Sequence, residues 1–152
     1  MYLPVGHGES HARIIFAHGY FSSALHEVAH WCIAGDQRRQ KVDFGYWYVP
    51  DGRSIEQQQT FQQVEVKPQS LEWIFHRACG RPFRVSIDNL SGQEDAFSAQ
   101  RAEVFKREVW LKTLENLQKG LPERARLFSE KLAEEFGGCN YLLSDHYDFF
   151  TL

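Results

Sequence analysis

The stretch Ala24–Gly35, ALHEVAHWCIAG, constrains this chain more than any other. His26, Glu27 and His30 form the pattern H-E-x-x-H, and residues four apart project from one face of any helix that carries them. Two imidazoles one turn apart, about 6 Å along the axis, reach a single ion from the same side. Around them, Leu25, Val28, Ala29, Ile33 and Ala34 are apolar on almost every side, which marks a buried helix. Burying an unpartnered polar group costs roughly 2–7 kcal/mol, and metal ligation removes that cost for the imidazoles. Ser22 or Ser23 is the expected amino-terminal cap, and Gly35 the expected left-handed stop.

An open metal site needs a third protein ligand. The longer histidine motif of some peptidases is absent, because Trp31, Cys32 and Ile33 follow His30 and the next histidine is His76. A carboxylate is therefore expected. Glu65 is the leading candidate: it interrupts the apolar pair Val64 and Val66 just before Lys67-Pro68, where an unpaired charge is costly. Glu56 lies in a polar run suited to solvent, and Glu72, Asp43 and Asp88 are weaker alternatives. Cys32, Cys79 and Cys139 show no C-x-x-C spacing, which gives no cysteine zinc site and suits a reducing compartment.

The 152 residues suit one domain over 1–152, with a metal-site core at about 13–92 and a helical carboxyl-terminal part at about 93–136. A formal charge of −3 without a basic block argues against a nucleic-acid binder. Neither a leader pattern nor a long apolar run opens the sequence, so a soluble, cytoplasmic protein away from membranes is expected. Strands are predicted over 13–17, 42–48 and 82–88. Helices are predicted from Ser54 up to Pro68, from Gln69 or Ser70 to Gly80, over 94–119, and from Leu121-Pro122 to Gly137. Arg38, Arg39 and Lys41 fall where a helix dipole favours cations. The order predicts an α+β fold in which a small mixed sheet packs on the buried metal-ligand helix.

Two histidines and a carboxylate leave two chemistries open. With zinc, Glu27 is the general base of a metallopeptidase, taking a proton from the attacking water. With ferrous iron, the same ligands form a facial triad that activates dioxygen, and Glu27 moves to a supporting catalytic role. Spacing alone does not choose.

Four blocks add to the motif: HEVAHWCIAG, VDFGYWYVPDGR, VEVKPQSLEW and PFRVSIDNLSG. In residue type, order and spacing they resemble the elongation factor P hydroxylase family over about Tyr2–Gly92. The resemblance implies a non-haem, metal-dependent hydroxylase whose partner is elongation factor P bearing a lysylated lysine, with dioxygen as co-substrate. It implies a metal set of His26, His30 and Glu65, with ferrous iron, Fe(II), expected and zinc or another divalent ion acceptable to the same donors. It also implies a fold similar to that of a metal-dependent ribosomal-RNA endoribonuclease. Members carry a further amino-terminal segment ahead of the part resembling Tyr2-Leu3-Pro4. A doubly cationic lysyl-lysine side chain calls for carboxylates and ring faces, for which Asp43, Tyr46, Trp47 and Asp88 are the candidates.

Overall fold

A computed structural model describes residues 1–6, 10–17, 19–43, 55–87, 98–138 and 140–152, with backbone alone for 55–59 and 98. Helix α1 spans Phe21–Ile33 and buries Leu25, Ala29, His30 and Cys32. Its ends differ from the expected caps. Tyr20 holds the N-cap position without a side-chain bond, while Ser23, inside the first turn, accepts a hydrogen bond from the Ala17 amide at 3.1 Å. That serine ties the entering chain to the helix. At the far end Ala34 is already extended, so Gly35 is not the stop. Arginines take over the capping: Arg124 donates to the carbonyls of Cys32, at 2.9 Å, and Ala34, and Arg39 donates to Ala34 at 2.5 Å. Carbonyls that the helix leaves unpaired are thus met by cations, as the helix dipole favours.

Helix α2, Ile55–Ala78, runs straight through Pro68 where a break was expected. A proline inside a helix removes one backbone bond and costs about 3 kcal/mol, but here the surrounding packing offsets it. Pro68, Leu71, Ile74 and Phe75 are fully buried. Ser70 donates its hydroxyl hydrogen to the Lys67 carbonyl at 2.7 Å, and Asn116 donates to that hydroxyl at 3.0 Å. Ser70 thus links the turn after the proline back to Lys67, and Asn116 ties that turn to α3.

Residues 81–87 do not form the predicted strand. A side chain replaces the missing strand partner: Gln69 donates to the Ser86 carbonyl at 2.8 Å and accepts from the Ser86 amide at 3.0 Å. Phe83 stacks on Trp73 with centroids 5.6 Å apart, which anchors the segment to α2.

Among the described residues the sheet is two-stranded and antiparallel. Strands β1 (Tyr2–Leu3) and β2 (Arg13–Ile14) pair Tyr2 with Ile14 and Leu3 with Arg13. Of the predicted strand over 42–48, Asp43 makes a single bridge to Tyr2, and residues 44–48 lie outside the described residues. Helix α3 (Ser98–Lys119) ends at Gly120, and α4 (Glu123–Phe136) starts after Pro122 and stops at left-handed Gly137. Of the helix expected from residue 94, residues 94–97 lie outside the described residues.

Helix α2 packs against α1, α3 and α4. Phe75, Phe105, Leu71, Ile74 and Val109 form the centre of one hydrophobic cluster that draws on all four helices. A mostly helical α+β fold results, with a two-stranded sheet among the described residues. Among the described residues no helix is long and apolar enough to cross a membrane.

Candidate metal centre

Helix α2 carries an unusual stripe. Glu65, Gln69, Glu72 and His76 recur at intervals of four, three and four, so they share one helix face. All four are buried, between 2% and 6% exposed. A line of polar residues inside an apolar core demands partners, and α1 presents His26 and His30 to it.

The Nε2 atoms of His26 and His30 lie 3.1 Å apart. Glu65 faces both: its Oε2 is 3.3 Å from His26 Nε2 and its Oε1 is 3.2 Å from His30 Nε2. Ligands about 2.0–2.1 Å from a common ion are separated by roughly 2.8–3.4 Å in tetrahedral or octahedral arrangements. All three distances fall in that range, and Glu65 Oε1 is buried with no hydrogen-bond partner among the described residues. The three residues therefore fit one divalent ion.

Electrostatics agree with the geometry. Burial alone would push the His26 imidazole down, but its contacts with the Glu65 and Glu72 carboxylates outweigh that and hold it up at about 10. Burial alone would raise Glu65, yet the imidazoles of His26 and His30 bring it down to about 2. Without a metal, the cluster holds a proton where a cation belongs.

Glu72, a weaker ligand candidate from sequence, stands behind His26: its Oε2 accepts from Nδ1 at 2.8 Å. The imidazole thus has a carboxylate on each ring nitrogen. His76 drew no assignment from sequence, having no ligand spacing. Its signal was the eleven-residue offset from Glu65, three helical turns, legible only once α2 is known to continue through Pro68.

The remaining predicted site residues fall as follows. Glu27 leaves the α1 face on a different side from His26, and its carboxylate accepts from the amino group of Met1. Asp43 pairs with Arg38 at 2.8 Å. Tyr46, Trp47 and Asp88 lie outside the described residues. The Gln69–Ser86 pairing brings the chain preceding Asp88 alongside the α2 turn between Glu65 and Glu72.

Fold and site together define a helical protein whose core brings two imidazoles and a carboxylate to one point. The sequence matches the model of the family described as elongation factor P hydroxylase over residues 1–146. It is 46% identical over 132 residues to the elongation factor P lysine hydroxylase of Haemophilus influenzae, a match covering 87% of this chain and 71% of that protein. The chain belongs to the elongation factor P hydroxylase family. That membership does not favour the zinc-peptidase reading of H-E-x-x-H.

Proposed function

We propose that this protein hydroxylates the lysyl-modified lysine side chain of elongation factor P, as a cytoplasmic oxidoreductase that uses ferrous iron and dioxygen. One observation carries the reading: in a chain of this family, His26, His30 and Glu65 converge within 3.3 Å of one another across two helices. His26, His30 and Glu65 would hold the iron. When bound, ferrous iron in such a set supplies the dioxygen activation that oxidation of an unactivated C–H bond requires.

The chain's own residues prepare that site. Glu65 supplies negative charge from a position 2% exposed, where water screens it little. Glu72 holds the His26 proton at Nδ1, which leaves Nε2 to face Glu65 and His30. Glu27, on α1 beside His26, is assigned the supporting catalytic role of handling protons outside the ligand set. Asp43, Tyr46, Trp47 and Asp88 are assigned to the cationic substrate, with Asp43 exchanging its Arg38 partner for a substrate ammonium.

The test is mass spectrometry of lysylated elongation factor P after incubation with the iron-loaded protein, air and a reductant. The reading expects a mass gain of one oxygen atom on the modified lysine, lost in His26→Ala and Glu65→Ala. No gain with wild-type protein, at full iron occupancy, overturns it.

A further inference from the structure

The buried polar line does not stop at the ion-facing residues. Behind His26, Glu72 receives the Nδ1 hydrogen through Oε2, and its other oxygen, Oε1, faces His76 Nε2 at 3.6 Å. His76 is 4% exposed, and neither of its ring nitrogens has a hydrogen-bond partner among the described residues. Its ring lies against Phe83, with centroids 5.5 Å apart, and Phe83 is itself stacked on Trp73. His76 therefore sits against an aromatic wall with the Glu72 carboxylate as its polar neighbour.

We propose that Glu72 and His76 are a positioning pair, which fixes the tautomer and ring orientation of His26 and so sets the affinity of the centre for its metal. The inference rests on His26 being a metal ligand through Nε2. A ligating imidazole that donates its second N–H to a carboxylate is held in one tautomer and is the better base for it. Glu72 is placed to do this, and a carboxylate only 6% exposed keeps its orientation best when its second oxygen also faces a polar group. His76 Nε2 is that group, 3.6 Å from Oε1 on the far side of the carboxylate. Aromatic packing holds the His76 ring at that station. A histidine kept only for packing would serve equally well as phenylalanine, and this separates the two accounts.

The experiment is a zinc titration of the metal-free full chain, in competition with a chromophoric chelator, comparing wild type, Glu72→Gln, His76→Phe and His76→Gln. Glu72→Gln, which keeps the shape and removes the charge, is expected to weaken zinc binding about 10–100-fold. His76→Phe, which keeps the ring and removes its nitrogens, is expected to weaken it by about threefold to tenfold. His76→Gln, which restores an N–H, is expected to recover most of that loss. Nitrogen-15 NMR of zinc-loaded wild type gives a readout that needs no variant: His26 should be protonated at Nδ1 and metal-bound at Nε2. The opposite tautomer overturns the proposal, as does wild-type affinity in both Glu72→Gln and His76→Phe. Failure of wild type to bind zinc overturns the underlying ligand assignment and the pair with it, a distinct result.

Discussion

Replacing Glu65 by glutamine changes one buried oxygen to nitrogen, keeps the side-chain volume and removes the charge that faces both imidazoles at 3.2 and 3.3 Å. Two effects follow, and they separate by adding metal. In the metal-free protein the substitution breaks a buried charge contact, which costs about 3 kcal/mol. At about 2–4 °C per kcal/mol for a chain of this size, the melting temperature should fall by about 6–12 °C. In the second effect, metal no longer compensates. An ion present at about one hundred times its dissociation constant stabilises the folded wild type by about 2.7 kcal/mol, or about 5–11 °C. The variant should show almost none of that rise, because the anionic ligand is gone. Differential scanning fluorimetry of wild type and Glu65→Gln, with and without zinc or anaerobic ferrous iron, measures both. Glu115→Gln is the control: it removes a carboxylate paired with Lys112 and Lys119 on the surface and should leave the metal-dependent rise intact. A Glu65→Gln protein that keeps the full rise refutes the assignment of Glu65 as ligand.

Other consequences follow from particular contacts. In metal-free protein the raised His26 value, about 10 against 6.5, contributes stability that is complete below pH 6.5 and lost as pH climbs through 10. The lowered Glu65 value, about 2 against 4.5, contributes stability that is complete above pH 4.5 and lost as pH falls through 2. Chelator-treated protein should therefore draw most from this cluster between pH 4.5 and 6.5, while metal, which must displace the His26 proton, binds more tightly as pH rises from 6.5 to 8. Metal affinity that is flat over that range would contradict the proton's place in the site. Gly138 admits no side chain: a Cβ there would lie 1.8 Å from the Ala78 carbonyl oxygen at the end of α2. Gly138→Ala should cost about 1–3 kcal/mol in a denaturant titration, and a neutral result would mean that this close approach is not made. The Cys32 thiol, buried and pushed up to about 12, should escape alkylation in the native protein at pH 8 and react after unfolding, as peptide mass mapping would show.

The centre was more legible in the sequence than the elements that carry it. His26 and His30 declare themselves by spacing, and Glu65 by being a charge between two valines, because burial penalties act on single residues and need no tertiary knowledge. Local rules failed where distant partners intervene. Gly35 is not the helix stop because Arg124, some ninety residues away in sequence, caps α1 instead. Pro68 does not break α2 because the core buries it together with Leu71, Ile74 and Phe75 on the following turns. PFRVSID alternates like a strand, yet a glutamine side chain supplies its hydrogen bonds. The misread proline also hid His76 and left Glu72 a weaker ligand candidate, since a broken helix loses the register that puts them on the Glu65 face.

Anomalous scattering from one crystal prepared without oxygen and supplied with ferrous iron, recorded at the iron and zinc edges, tests the central claim most directly. The account predicts an iron signal bounded by His26 Nε2, His30 Nε2 and the Glu65 carboxylate, with Glu72 one step removed behind His26. A zinc signal alone, or an ion held by other residues, would contradict it.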